Sequence, residues 1–180
     1  MEKLDIVDEN NQLIGIVKSR EEISNENLWH RAVSVWIMNE NNELLIQKRA
    51  VTKKIDPNKW GICAGHVLAG EEVLEAMVRE IKEEIGIIVK KEELDLMFID
   101  KLKYTTEENI TNARFSYMYF YKTNKKIEEY TIQIEELSEV KYVPLKQIIQ
   151  DVKNGDKKYG FTSRGYITRV LEELEKRINI

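Results

Sequence analysis

An α/β fold, with helices layered on a mixed β-sheet, is the class predicted for this 180-residue chain. Three observations predict it. Short runs rich in β-branched and aromatic residues recur along the chain, and amphipathic helical stretches follow and interrupt them. Two Pro and eight Gly leave no low-complexity linker, and no internal repeat is visible. One compact domain over residues 1–180 is therefore expected, with residues 1–29 packed on it as an N-terminal extension.

Each element follows from local pattern. Residues 4–7 and 13–17 flank the polar turn Asp8-Glu9-Asn10-Asn11 and read as a hairpin. The mostly apolar run at 32–38 (AVSVWIM) turns at Asn39-Glu40-Asn41-Asn42 into 44–48, and both suit central strands. A helix is predicted over 71–85, closed by Gly86 as a C-terminal cap. Its apolar stripe is Leu74, Met77, Val78, Ile81 and Ile85, spaced to face a core. Two longer strands follow at 94–104 and 113–122. In the second, Phe115, Tyr117, Tyr119 and Tyr121 alternate with Ser116, Met118 and Phe120, an aromatic ladder that reads as core or interface rather than as a base-stacking platform. A short strand at 140–143 ends at Pro144, and a helix over 145–152 comes next. A last helix, from about Ser163 to the end, puts Ile167, Val170, Leu171, Leu174 and Ile178 on one face, against the domain or a second subunit.

Composition excludes several function classes. A net charge of −4 argues against a surface for duplex nucleic acid, which needs a basic patch. No apolar run approaches the roughly 20 residues of a membrane span. The single Cys63 cannot form an internal disulfide, and the opening Met1-Glu2-Lys3-Leu4-Asp5 lacks the charged-then-apolar plan of a signal peptide, so a reducing cytoplasm is the expected location.

The chemistry concentrates in the helix at 71–85. Glu80 and Glu84 are one turn apart and Glu83 lies on the neighbouring ridge, so three oxygen ligands are expected to converge on one side. Like charges at that spacing repel, which makes sense where a hard cation such as Mg²⁺ or Mn²⁺ neutralises them. The competing reading is a merely solvated face, the commoner fate of a charge run.

The spacing of the whole string decides between these. Gly65, five residues, Glu71, seven residues, Arg79-Glu80, an aliphatic Ile81, any residue, Glu83-Glu84, any residue, Gly86 and an aliphatic Ile87 together resemble the Nudix box. That resemblance implies an α/β/α sandwich and hydrolysis of the pyrophosphate bond in a nucleoside diphosphate derivative or similar small diphosphate. It further implies Mg²⁺ or Mn²⁺ as cofactor, held by Glu80 and Glu84, with Glu83 either a third ligand or the base. The Gly65 carbonyl completes the site, and Arg79 is expected to point away from the pair and tie down Glu71. A base from a later loop, Glu135, Glu136 or Glu139, stays open. Arg49 matches a recurrent Nudix arginine and is preferred to Lys48 for substrate phosphate, while Lys53, Lys54 and Lys59 are left as solvated charges.

Residues 2–90 also resemble isopentenyl-diphosphate isomerases, a branch with the same fold, through Trp29-His30-Arg31, Gln47-Lys48-Arg49 and Cys63-Ala64-Gly65-His66. The isomerase needs Cys directly before Gly-His, where this chain has Ala64, and a Glu-x-Glu pair where it has Asn112 and Arg114. A one-residue shift in a strand turns a side chain to the other face, so Cys63 is not expected to substitute. Hydrolysis is preferred; isomerisation and a non-catalytic nucleotide-binding module are the rivals. His30 reads as a structural residue, and His66 keeps a possible substrate role at the mouth of the site. A homodimer is expected from the aromatic ladder and the last helix.

Overall fold

The computed structural model describes residues 2–106, 110–162 and 164–178. Strand β1 (Lys3–Val7) pairs antiparallel with β2 (Leu13–Ser19) as the predicted hairpin. Its turn is held by the Asp8 carboxylate, which accepts from the N–H groups of Asn10 and Gln12 at 2.8 and 2.9 Å. Helix α1 (Arg20–Glu26) follows at once, and the sequence reading missed it. Its signal was the capping box Ser19-Arg20-Glu21-Glu22, in which Ser19 and Glu22 satisfy each other's backbone N–H groups.

The long strand β3 (Trp29–Met38) organises the rest. Its residues alternate between two cores, Val33, Val35 and Ile37 on one side and Trp36 and Met38 on the other. Beside it run β4 (Glu43–Arg49), the two-residue β5 (Trp60–Gly61) and β6 (Cys63–His66), then helix α2 (Val73–Ile85), β7 (Asp95–Thr105), β8 (Thr111–Lys122) and β9 (Leu137–Pro144). Helices α3 (Leu145–Lys153) and α4 (Ile167–Ile178) close the order. Among the described residues, seven strands form one sheet, mixed because β3 and β8 are parallel while the other pairs are antiparallel. Helix α2 covers the Val33 face with Ala76, Met77, Ile81 and Ile85 fully buried, and α3 and α4 cover the Trp36 face with Leu145, Ile148, Val170 and Leu174. The result is the expected α/β/α sandwich.

Several boundaries differ from the sequence reading. Helix α2 begins at Val73, not 71, because Glu71 is held in the preceding loop, where its carboxylate accepts the Leu68 N–H at 2.9 Å. Strands β5 and β6 went unread, being too short for a period to show. The last helix begins at Ile167; Ser163 lies outside the described residues, as do Met1 and the last two positions. The α4 face and the Tyr119–Tyr121 part of the ladder are used up within the chain's own cores. No helix among the described residues is long and apolar enough to cross a membrane.

One feature of the sheet shapes the site. β3 and β4 pair only near their shared turn, at Met38 and Leu44. Beyond it they part: β6 pairs with β3 from Ala32 to Val35, and β9 pairs with β4 along its length. The opening between the two halves is where α2 sets its carboxylates.

Candidate active site

Glu84 bridges that opening. Its carboxylate accepts from Gln47 Nε2 on β4 at 2.7 Å and from the Ala64 N–H on β6 at 3.3 Å. It is 6 % exposed, and burial pushes its pKa up to about 7. Glu80, one turn earlier, is also buried, and desolvation raises its pKa against the opposing pull of Arg79. Gly65 makes room for it, since a Cβ there would stand 2.0 Å from the Glu80 carboxyl carbon.

Arg79 is oriented differently from the sequence expectation. It does tie down Glu71 through two bonds, Nε at 2.8 Å and Nη2 at 3.0 Å. It does not point away from the acidic group, however: Nη1 also donates to Glu80 at 2.8 Å and to Glu83 at 3.1 Å, and Nη2 to the His66 carbonyl at 2.9 Å. The guanidinium is long enough to curl back along its own helix, which helical phase alone does not reveal. Glu83 is consequently drawn to Arg79, with its side chain 52 % exposed. Among the described residues no group of three acidic, His or Cys side chains closes on one point, so the expected three-ligand convergence reduces to a buried pair, Glu80 and Glu84, with Glu83 at the rim. The donor chemistry fits a hard divalent cation: two buried carboxylates, both raised in pKa first by desolvation, beside a β6 glycine that leaves Glu80 its space.

A loop from far along the chain completes the site. The C-terminal carbonyls of α2 lack helical partners, and the loop at 131–136 supplies them: Thr131 N–H donates to Ile85 O at 3.1 Å and Gln133 N–H to Glu84 O at 3.0 Å. Gln133 and Glu136 thereby reach a cleft of about 180 Å³ shared with Glu80, Glu83, Glu84, Gly65, His66 and Arg49. Of the three later candidates for the base, Glu136 lines this cleft, Glu135 a neighbouring basin with Arg49, and Glu139 lies exposed on β9 opposite Lys48. Lys53, set aside as solvated, forms an ion pair with Glu136 across the mouth. Arg20, unread because its helix was unread, joins the wall from α1. Lys48 instead lies over the Trp60 ring.

The two histidines sit together, rings 5.4 Å apart. His30 is buried on β3, and desolvation lowers its pKa to about 4; His66 is held low for the same reason, with Arg20 adding to it. Both are neutral near pH 7. Cys63 faces the core while its neighbour Ala64 lines the cleft, as the strand alternation requires, and burial pushes its thiol up.

Buried carboxylates and a set of arginine and lysine side chains thus line one cleft, a pairing of charges suited to a cation and a polyanion together. The Nudix-domain family model matches residues 28–163. An uncharacterised Nudix hydrolase of Clostridium acetobutylicum is 34 % identical over 170 residues, covering 92 % of this chain and 80 % of that protein. An isopentenyl-diphosphate delta-isomerase of Pectobacterium atrosepticum is 30 % identical over 146 residues, 81 % of this chain and 78 % of that one. In fold, the chain is similar to a crystal structure from Deinococcus radiodurans with a TM-score of 0.69 at 20 % identity, covering 96 % and 99 % of the two chains. The chain belongs to the Nudix hydrolase family, whose members are pyrophosphohydrolases.

Proposed function

We propose that the protein hydrolyses the pyrophosphate bond of a small diphosphate, such as a nucleoside diphosphate derivative, with Mg²⁺ or Mn²⁺ held by Glu80, Glu84 and the Gly65 carbonyl. The observation that carries this reading is the cleft itself, where the two buried carboxylates face Arg49, Lys53 and Arg20. A bound cation would neutralise phosphate charge and polarise the bond to be cleaved.

The chain's own residues do the remainder. Arg49, with Arg20 and Lys53, binds and orients the phosphates. Arg79 and Glu71 act as positioning residues that fix Glu80 and the loop at His66, and His66 borders the substrate as a neutral group. Glu83 is a ligand or the base; Glu136 is preferred over Glu135 and Glu139 as the alternative base because it alone of the three lines the cleft. The same reading takes residues 1–180 as one working domain in a reducing, cytoplasmic setting. It keeps a homodimer, with the exposed Leu13, Ile14, Ile16 and Val17 of β2 as the apolar surface left for a second copy.

Glu84→Gln tests the assignment. Phosphate release from a panel of nucleoside diphosphate derivatives should fall by two orders of magnitude or more while circular dichroism stays native; hydrolysis at the wild-type rate would count against it. An isomerase activity draws support from sequence similarity, but Ala64 and Arg114 stand where that chemistry needs a thiol and a carboxylate. Isopentenyl diphosphate incubated with the protein is expected to yield no dimethylallyl diphosphate, as read by chromatography.

A further inference from the structure

Adjoining the acidic cleft, and sharing Arg20, Arg49, Ala64, Gly65 and His66 with it, lies a second cavity of about 150 Å³. We infer that this cavity is a subsite for a second anionic group, a carboxylate or phosphate borne on the far end of the substrate and received by Arg114. The inference rests on the diphosphate occupying the front of the cleft.

Arg114 comes from β8, in register with His30 of β3. Its Nε is buried and, among the described residues, has no hydrogen-bond partner. A partly buried guanidinium that has no carboxylate partner and an unpaired Nε is costly, and an anion drawn to its cavity-facing edge would offset that cost. The opposite wall shows what a satisfied arginine looks like here: Arg164 donates to Asp56 at 2.7 Å and to the Gly160 carbonyl at 3.1 Å. Tyr104 lies against both arginines, its ring centroid 5.6 Å from Arg114 Cζ and 4.1 Å from Arg164 Cζ. Asp56 is the one carboxylate among the described lining residues, and it already serves Arg164 and Lys59. With Arg20 paired to Glu2 at 3.9 Å and Arg49 turned to the diphosphate, Arg114 is the cavity arginine left without a carboxylate among the described residues.

Trp60 and Phe161 wall the space with apolar surface, which strengthens a charge pairing inside it. Its volume equals roughly five water molecules, enough for a charged head on a short stem. A planar guanidinium matches a carboxylate or phosphate edge with two parallel bonds. An uncharged hydrocarbon tail would fill the same space and leave Arg114 desolvated and unpaired, so the residue also selects against it.

Three non-hydrolysable methylenediphosphonate esters, with butyl, 4-carboxybutyl and 4-phosphobutyl tails, test this by calorimetry on the full chain with Mg²⁺. Either charged tail should bind the wild type at least tenfold tighter than butyl, and the tail with the greater gain tells carboxylate from phosphate. Arg114→Gln should remove that gain, with butyl bound at least as tightly as by the wild type. Equal binding of all three tails, no binding by any, or a preference that survives Arg114→Gln overturns the inference. The wild-type comparison stands on its own where the variant fails to fold. The matching diphosphate esters separate the two readings: hydrolysis without tail preference upholds the diphosphate assignment and removes the subsite, whereas tail preference in binding without phosphate release does the reverse.

Discussion

Gly65 has no side chain at the one point where the Glu80 carboxylate packs against the backbone, and a methyl group there would stand 2.0 Å from that carboxyl carbon. The atoms that must yield are the far end of a flexible side chain, so Gly65→Ala should fold normally but displace a proposed ligand. Steady-state kinetics are expected to show kcat/KM at least tenfold lower, with a melting temperature near that of the wild type. Collapse of the fold instead would show that the glycine serves the strand and not the carboxylate. Arg79 belongs to the same scale: one guanidinium holds Glu71, Glu80, Glu83 and the His66 carbonyl, tying the segment before α2 to the helix.

At the scale of elements, the C-terminal end of α2 joins stability to the site. Gly86 sits at φ +73°, and a Cβ there would stand 2.7 Å from the Thr131 carbonyl oxygen, which is backbone and cannot step aside. The left-handed conformation alone costs an L-residue about 1–2 kcal/mol. Gly86→Ala should therefore lower stability to urea by at least that much. Because the same contact seats the loop at 131–136, activity should fall as well, even in the fully folded fraction. A variant that melts early yet keeps wild-type kcat would separate the loop's docking from catalysis.

Across the whole molecule, the layer of α3 and α4 is fastened to β5 at the sheet edge through Asp151. Its buried carboxylate accepts from Gln147 at 2.7 Å, Lys158 at 2.8 Å and the Tyr159 hydroxyl at 2.8 Å. Lys158 and Gly160 in turn exchange backbone bonds with Trp60, which lines the second cavity. The Lys158 bond, above all, holds the Asp151 carboxyl below its ordinary value of 3.8. A carboxyl whose folded pKa lies below its unfolded one stabilises fully above the unfolded value, and that stabilisation disappears as pH falls through the folded one. Melting temperatures measured across about pH 6 to 2 should thus fall less steeply for Asp151→Asn than for the wild type. Parallel curves would mean that Asp151 keeps its partners without a pKa difference between the two states.

Local pattern by itself determined the hairpin, the two central strands, the apolar stripe of α2 and the cap at Gly86, because each rests on near-neighbour sterics or on a period carried by adjacent residues. It also determined the acidic string and its spacing from Gly65, since those carboxylates share one helix. The Ser19–Glu22 capping box was legible too and went unread. Only the tertiary structure decided that Glu136 and not Glu139 reaches the cleft, that Arg79 curls back onto Glu80, and that Arg20 and Arg114 join one basic wall. Those residues meet through strand register and loop docking across long stretches of chain, and contacts of that kind leave no period in the sequence to read.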